Sequence, residues 1–397
     1  MSQSGYTILL NQQQPYLLVW KIELMPFILL VGLFANLCSI FLIWFDIYLI
    51  RQWYLYKGMA IVSKQDYANG CLISAIIILS YILTGRFLVR LLLSKSRKGD
   101  EGPKAERYPE QQQLYRPDGS IINVEHGGVK GKQTIIFLHG WNSNSLEWYY
   151  QKKYFEKDYH LVLVDYPGLG KSRRPNNKDY SLEKLAADLI VVIESANVKN
   201  PVLWGHSMGG FTILTFCKLY LTKIPAIKGI ILQHTTYTNP TKTILSDRLT
   251  YAIQEPVLKP LCKVMIAISP MLWLIKWISY LNGVALLMTR LMTYAGTQTP
   301  KQLDFSSLLA TMASPEVVGR GVLGMFEYDA TLILTKINVP TLIIGADKDR
   351  LTKLEASKTM NERIPGSVLF TLSPAGNMGL IEQHTLVNQR VAEFLKS

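Results

Sequence analysis

A serine between two glycines is the pattern with the clearest chemical meaning in this chain. The segment Gly205–Gly209 reads GHSMG, follows the apolar run Pro201–Trp204 and precedes a helical pattern over Phe211–Tyr220. A nucleophilic serine has to project from a strained turn between a strand and a helix, and small flanking residues allow the backbone to make that turn. We therefore predict that Ser207 is a nucleophile. The backbone N–H of Met208, at the helix start, would then be available to stabilise an oxyanion.

Two further motifs follow earlier strand-like runs. A His-Gly-Trp sequence that ends at Trp141 follows Thr134–Leu138, and its predicted role is to supply a second oxyanion donor through the backbone N–H of Trp141. The stretch DYPGLGKS, which begins at Asp165, is interpreted as a structural turn. It is not a phosphate-binding loop, because Asp165 stands where that loop requires its first glycine.

The elements that would position these motifs alternate between strands and helices. Helical patterns such as Leu182–Glu194 separate short apolar runs, several of which end in glycine-rich turns. This alternation predicts a parallel sheet covered on both faces, with a site at the carboxyl ends of its strands. The predicted strands are Thr134–Leu138, His160–Val164, Pro201–Trp204, Lys228–Leu232, Thr341–Ile344 and Ser367–Leu372.

The order of these motifs resembles the α/β-hydrolase superfamily. The resemblance covers roughly residues 115–237 and 330–397 and includes the tail GADKDRLT…SPAGNMGLIEQ…VAEFL. It implies a Ser–Asp–His triad in that chain order, with Ser207 as the nucleophile and the acid just after the strand Thr341–Ile344. Asp347 and Asp349 both qualify. Asp349 is favoured, because the Arg-Leu-Thr that follows it matches the family pattern D-x-L/I-T/V.

The tail departs from the family pattern at the position of the catalytic base. The family pattern G-H-x-G-x-x-E corresponds to Gly376–Glu382, where Asn377 stands in place of the histidine. An asparagine amide has no titratable nitrogen, so Asn377 cannot accept the proton of Ser207. His234 and His384 are the candidates for a substitute base. The asparagine is consistent with a disabled form of an active enzyme or with a naturally silenced relative.

The first hundred residues predict a membrane hairpin. Leu24–Phe45 and Tyr67–Gly85 contain 22 and 19 residues without a charge, which as helices span about 33 and 28 Å, close to the ~30 Å of a bilayer core. We predict transmembrane helices over about 24–46 and 67–93, followed by a charged linker over 94–113. Two spans place both ends of the hairpin on one side. The larger number of lysines and arginines on that side favours a cytoplasmic hydrolase domain.

An insertion over 238–329 interrupts the alternation of strands and helices and resembles the helical cap of the superfamily. It contains no Asp or Glu between positions 256 and 303, and its runs Val264–Ile275 and Trp277–Thr289 are uncharged. Helices of this kind either lie on an anionic membrane surface or pack on the hydrolase core. A cap of this composition above the predicted site favours a lipophilic substrate. The predicted substrate-binding residues are Met265, Trp273 and Trp277.

Composition limits the remaining possibilities. The chain has 49% hydrophobic residues and 4 cysteines without a C-x-x-C pair, which argues against disorder, a disulfide framework and a zinc or redox motif. The net charge is +13, and much of the excess lies beside the predicted spans or in the cap, as expected for contact with lipid rather than nucleic acid. We predict no cofactor and no metal.

The sequence therefore predicts an α/β-hydrolase sheet with a helical cap insertion, preceded by a two-helix transmembrane hairpin. The predicted domains are a membrane region with its linker (1–107), a hydrolase core in two parts (108–237 and 330–397) and the cap (238–329). The predicted function is hydrolysis of an ester or related acyl bond of a lipophilic substrate through an acyl-enzyme on Ser207. The alternative is a non-catalytic binding or scaffold protein at the membrane. The sequence leaves the oligomeric state open.

Overall fold

An eight-stranded sheet lies at the centre of the second part of the chain. The computed structural model describes residues 24–93, 101–220, 227–243 and 251–396. The strands are β1 Gln111–Tyr115, β2 Ile121–Gly128, β3 Thr134–Leu138, β4 His160–Val164, β5 Val202–His206, β6 Gly229–Gln233, β7 Thr341–Ala346 and β8 Val368–Leu372. Their order across the sheet is β1-β2-β4-β3-β5-β6-β7-β8. The six predicted strands are present, with ends displaced by at most two residues.

The sheet is mixed: the six predicted strands pair in parallel, as expected, and two further antiparallel strands extend the sheet. Strands β3 to β8 pair in parallel, whereas β1 and β2 form an antiparallel pair, and β2 also pairs antiparallel with β4. The sequence does not indicate β1, because its residues, QQQLY, form a largely polar edge strand without an apolar run. Polar side chains on an edge strand also discourage pairing with another chain.

Helices cover both faces of the sheet, because the central strands are apolar throughout. In β3, residues 136 and 138 join one buried cluster and residues 135 and 137 join the other. Successive side chains of a strand point to opposite faces, so each face receives every second residue. The helices are α1 Leu24–Tyr56, α2 Val62–Leu93, α3 Tyr149–Phe155, α4 Leu182–Ser195, α5 Met208–Tyr220, α6 Lys259–Ala267, α7 Ser269–Asn282, α8 Val284–Thr293, α9 Pro300–Met312, α10 Pro315–Phe326, α11 Leu354–Arg363, α12 Gly379–Glu382 and α13 His384–Lys396.

The cap comprises α6 to α10 and lies in sequence between β6 and β7. Its two uncharged runs do not each form one helix. The helical stretch Tyr251–Ala267 meets α7 at an angle of 89°, which breaks the first run near Ile268. The second run is broken at Gly283, whose φ of 92° is left-handed. A left-handed glycine ends a helix at little cost because it has no Cβ.

The helices α1 and α2 form the predicted hairpin and are long and apolar enough to cross a membrane. Large apolar side chains point outward from both, including Phe34 (70% exposed) and Leu91 (68% exposed). Helices that are apolar on all sides suit a lipid environment. The first helix continues to Tyr56, ten residues beyond the predicted end, because its charged and aromatic residues after position 46 still suit a helix.

The hairpin packs directly against the cap through polar side chains. The Ser279 hydroxyl of α7 donates to Asn36 Oδ1 of α1, and Asn282 Nδ2 donates to Ser39 Oγ at 2.8 Å. A Cβ placed on Gly85 of α2 would lie 2.8 Å from the backbone oxygen of Asn282, so the two helices approach closely at that glycine. Small residues and interhelical hydrogen bonds are typical of contacts between membrane helices.

The second half of the predicted linker belongs to the folded domain. Residues 94–100 lie outside the described part of the chain. Arg107, further along, contacts Glu125 of β2 and donates to Asp165 at 2.9 Å, and its side chain is mostly buried. Asp165 also accepts the backbone N–H groups of Ser145 and Lys171 at 2.8 and 2.9 Å, as expected for a structural turn residue.

Candidate active site

The serine motif forms a tight turn between β5 and α5. Ser207 has a φ of 50°, a left-handed conformation that costs a serine free energy and is held only by its surroundings. A Cβ on Gly205 would lie 2.4 Å from the backbone of Gly209, and one on Gly209 would lie 2.1 Å from the oxygen of Leu138. Both glycines are therefore required, because the turn passes against its own backbone and against β3.

The two proposed oxyanion donors are the backbone N–H groups of Met208, next to the serine, and Trp141, which lines the same cavity as Ser207. Met208 is the first residue of α5, where N–H groups have no partner within the helix. Among the described residues, neither the Met208 nor the Trp141 backbone N–H donates to another part of the chain. Trp141 uses its indole N–H separately, as a donor to the oxygen of Val318 in the cap at 2.9 Å. Both backbone donors thus remain available for a ligand oxygen.

The acidic residue is held in the loop after β7. Asp349 Oδ1 accepts the backbone N–H groups of Leu351 and Thr352 at 2.8 and 2.9 Å, and Oδ2 accepts the Thr352 hydroxyl at 2.6 Å. Burial raises the pKa of Asp349 above its usual value, although these hydrogen bonds oppose the change. Asp347, the alternative acid, instead accepts the Ser373 hydroxyl at 2.9 Å and is turned toward the protein surface.

Asn377, which stands where the family pattern has a histidine, contacts the candidate acid Asp349 directly. Its Nδ2 donates to Asp349 Oδ2 at 3.0 Å and lies 3.2 Å from the Thr352 hydroxyl oxygen. Both Ser207 and Asn377 line one cavity. The structure therefore brings Ser207, Asp349 and Asn377 into one arrangement, in which an amide binds the carboxylate that would orient an imidazole.

His206 and Glu147 form a buried ion pair beside the serine. His206 Nδ1 donates to Glu147 Oε1 at 2.9 Å, and its Nε2 donates to the backbone oxygen of Asn377 at 3.0 Å. The Asn377 carbonyl oxygen can only accept, and so can an ionised Glu147 carboxylate, so these two contacts favour a doubly protonated ring. Burial alone would lower the pKa of His206, but the Glu147 carboxylate outweighs it and raises that pKa. A ring without a lone pair cannot be the base for Ser207.

His139 and His234 are also unable to act as the base in this arrangement. His139 Nδ1 donates to the oxygen of Gly140 at 2.7 Å, and its Nε2 accepts the backbone N–H of Tyr166 at 3.1 Å. His234 lies 3.9 Å from Asp349 Oδ2 but is fully buried and does not line the cavity. Burial and the positive charge of His206 lower the pKa of His234 well below its usual value.

The remaining histidines lie outside this arrangement. His384 stacks on Tyr150 with ring centroids 3.7 Å apart, and its Nε2 is 2.8 Å from Glu101. His126 and His160 stack on each other on β2 and β4. All six histidines belong to the described part of the chain, and none is placed to accept the Ser207 proton.

A cavity of about 560 Å³ lies above the serine, within the size range of small-molecule sites. Met265 lines it, as predicted, whereas Trp273 and Trp277 do not. The α7 residues that line the cavity are Leu272, Ile275, Lys276 and Ser279, spaced three and four apart, so they share one face of the helix. Trp273 and Trp277 directly follow the lining residues Leu272 and Lys276, and successive residues of a helix are turned by about 100°. The two tryptophans therefore lie to one side of the cavity face, and each is 37% exposed.

Motif spacing did not indicate Glu147, Lys276 or Asn36, which are among the residues that line the cavity. Glu147 belongs to a short helical turn whose sequence does not mark it as catalytic. Lys276 is one of several cap lysines, and Asn36 comes from α1 of the hairpin. The sequence could have indicated Asn36, because Asn36 and Ser39 are polar residues three apart within an apolar run. They therefore share one face of the helix, as residues that contact another helix do.

Glu382, the last residue of the G-x-x-G-x-x-E pattern, fixes the Asn377 loop to the cap. Its carboxylate accepts the backbone N–H groups of Ala295, Gly296, Thr297 and Gly376, at 2.8 to 3.0 Å. The acidic residue of the family pattern therefore holds the base position against the cap.

Comparison with known families agrees with this geometry. A family model described as alpha/beta hydrolase fold matches residues 133–254, and one described as TAP-like protein matches residues 328–397. The two matches fall on the two parts of the sheet and enclose the cap. The chain belongs to the α/β-hydrolase superfamily.

The proteins similar to this chain include hydrolases and esterases. The chain is 24% identical over 294 residues to "Uncharacterized hydrolase YugF" of Bacillus subtilis, a match that covers 71% of this chain and 97% of that protein. The solved esterase EaEST from Exiguobacterium antarcticum superposes with a TM-score of 0.60 at 23% identity, covering 72% of this chain and all of that one. A thermophilic esterase from Thermogutta terrifontis has a TM-score of 0.58 at 20% identity, with 72% and 98% covered. These likenesses show the fold.

Proposed function

We propose that this protein is a membrane-anchored serine hydrolase that acts on an ester or related acyl bond of a lipophilic substrate, in a form whose triad base is replaced by Asn377. The observation that carries the proposal is the cavity, which brings Ser207 and Asn377 together with apolar cap residues such as Met265 and Leu272. The esterase names of the similar structures support an acyl bond.

In the proposed reaction, Ser207 Oγ attacks the acyl carbonyl carbon, and the N–H groups of Trp141 and Met208 hold the negative oxygen. The leaving group departs with the proton of the Ser207 hydroxyl, and water then hydrolyses the acyl-enzyme to release the acid and restore the hydroxyl. Asp349 would orient an imidazole at position 377. Without that base, turnover is reduced by as much as about 10⁶-fold relative to an intact triad, and the oxyanion hole and substrate binding account for the remaining rate.

The proposed anchor is the hairpin of α1 and α2, which crosses the bilayer twice. The proposed position of the hydrolase domain is the cytoplasmic side, since the cation-rich flanks of the hairpin lie on that side. Asn36 supports a close relation between anchor and site, because it lies on α1 and also lines the cavity. A substrate dissolved in the membrane would therefore be near the pocket.

A non-catalytic binding protein is the second candidate. Its support is the pairing of the groups around Ser207: His206 is paired with Glu147, and Asp349 accepts the amide of Asn377 instead of an imidazole. Such a protein would retain the cavity and bind the same class of ligand without turnover.

The Asn377→His variant separates the two candidates. The full chain, in nonionic detergent, is treated with a fluorophosphonate probe and assayed on a panel of lipid esters before and after the substitution. Strong labelling of Ser207 and turnover in the histidine form alone are expected for a disabled hydrolase. The same variant with Ser207→Ala is the control and should remain unlabelled. No labelling and no turnover in either form would refute the hydrolase proposal and leave the binding protein.

A further inference from the structure

One charged side chain of the cavity lacks a charged partner. Lys276, on the cavity face of α7, donates to the backbone oxygen of Ala313 at 2.7 Å and to Asn142 Oδ1 at 3.3 Å. Both acceptors are neutral, and no carboxylate oxygen of a described residue lies within 4.0 Å of the Lys276 ammonium. The other ionisable groups lining the cavity in the described chain, Glu147 and His206, are paired with each other.

This arrangement is costly for the protein on its own. Lys276 is partly buried, and an ammonium partly removed from water without a counter-charge is destabilising, since buried charges in proteins are normally paired. Burial lowers the pKa of Lys276 to about 8, so the side chain is still mostly protonated at neutral pH. The chain offers no acid nearby along the sequence, because positions 256–303 contain no Asp or Glu.

A purely structural role explains only part of the geometry. Ala313 directly follows α9 as its C-cap residue, and a cation near the C-terminal end of a helix is favourable. That interaction would be available equally to a lysine at the protein surface. It does not account for a charged group in a cavity that also contains Ser207.

The surroundings indicate what kind of ligand would complete the site. Asn142, one partner of the ammonium, directly follows Trp141, so Lys276 lies on the oxyanion side of the cavity. The neighbouring walls are apolar and include Leu272 and Met288. A ligand with a negative group beside Lys276 and a hydrocarbon chain along these walls would satisfy both parts.

We propose that Lys276 is the recognition group for an anionic amphiphile, a molecule with a hydrocarbon chain and a carboxylate or phosphate that binds in the Ser207 cavity. The inference deepens the proposed function by naming the ligand class for the same cavity. Binding by Lys276 requires no turnover, so it can be tested whether or not the protein is a catalyst.

The test compares ligands of equal chain length that differ only in charge. The full chain in nonionic detergent is heated with dodecanoate, dodecyl phosphate or dodecanol, and affinities are obtained from the concentration dependence of the unfolding midpoint. The wild type is expected to bind at least one of the two anions about tenfold or more tightly than dodecanol. Comparison of dodecanoate with dodecyl phosphate distinguishes a fatty carboxylate from a lipid phosphate as the source of the charge.

Three variants decide whether Lys276 is responsible. Lys276→Met should remove the preference for anions and leave dodecanol binding unchanged, whereas Lys276→Arg should retain the preference. Lys263→Met is the matched control, because Lys263 is an exposed lysine of the same cap that does not line the cavity.

Equal binding of dodecanol and both anions to the wild type, or equal losses in Lys276→Met and Lys263→Met, would overturn the proposal. If Lys276→Met fails to fold, failure of Lys276→Arg to prefer the anions would overturn it as well. The Asn377→His experiment does not depend on any of these outcomes.

Discussion

The buried pair of Glu147 and His206 offers the sharpest test of how the site is held together. Glu147 Oε1 accepts the backbone N–H of Gly140 at 2.8 Å and Nδ1–H of His206 at 2.9 Å, and the His206 ring donates in turn to the oxygen of Asn377. One carboxylate thus connects the loop after β3, the strand before the serine and the base position. Glu147→Gln retains the size and an acceptor for Gly140 while removing the charge.

The expected effect of Glu147→Gln is large. Removing one member of a buried ion pair costs about 3–5 kcal/mol, because the other charge remains buried without a partner. At roughly 2 °C per kcal/mol for a domain of this size, the unfolding midpoint should fall by about 6–10 °C at pH 7. The measurement is thermal unfolding of the full chain in nonionic detergent at a fixed scan rate. Glu183→Gln, which removes an exposed carboxylate on α4, is the control and should change the midpoint by less than 2 °C, about 1 kcal/mol.

The pH dependence gives a second readout of the same pair. The pKa of His206 is raised above 6.5, so its contribution to stability is complete below that value and is lost as pH rises through the raised pKa. Burial alone would raise the pKa of Glu147, but His206 outweighs it and lowers that pKa below 4.5. The Glu147 contribution is therefore present above pH 4.5 and is lost as pH falls through the lowered pKa. The wild type should be most stable between these limits, and Glu147→Gln should lose this dependence.

A double variant completes the argument. Glu147→Gln combined with His206→Gln removes both charges, so the combined loss should be smaller than the sum of the two single losses. An additive double variant, or a Glu147→Gln midpoint within 2 °C of the wild type, would refute the ion pair as a source of stability.

The remaining predictions concern the turn, the cavity and the hairpin. Gly209→Ala should destabilise the fold by at least about 1–3 kcal/mol, because its Cβ would lie 2.1 Å from the oxygen of Leu138; an unchanged unfolding midpoint would contradict this. Dodecanoate affinity should fall as pH rises above about 8, where Lys276 loses its proton, and should persist in Lys276→Arg; titrations at pH 7 and 9 measure it. Ser39→Ala and Asn282→Ala should show a coupling of about 0.6–1.7 kcal/mol in a double-mutant cycle of unfolding, and additivity would contradict this hydrogen bond between hairpin and cap.

Much of the fold could be predicted because its signals are local. A buried strand of a parallel sheet is a short apolar run, and the six such runs correspond to β3 to β8. The serine turn is recognisable because its strand, glycines and helix are contiguous in the chain. By contrast, β1 is a largely polar edge strand with most of its side chains exposed, so it contains no apolar run that the sequence could reveal.

The walls of the cavity could not be predicted with the same success. Met265 lines the cavity, but Trp273 and Trp277 face away from it. Composition identifies an apolar helix, whereas the rotation of that helix depends on what it packs against. For α7 the neighbours are distant in sequence, including Asn36 of the hairpin. Side-chain type alone therefore could not choose between the faces of α7.

The sequence by itself determined the order of the motifs along the chain, the turn that presents Ser207 and the asparagine where the family pattern has histidine. These depend on backbone sterics and side-chain chemistry that a few adjacent residues specify. Only the tertiary structure decided that His206 is paired with Glu147, that His234 is buried outside the cavity and that Lys276 shares a cavity with Ser207. Protonation and accessibility depend on which distant groups surround a side chain, because burial and counter-charges come from segments that meet only on folding.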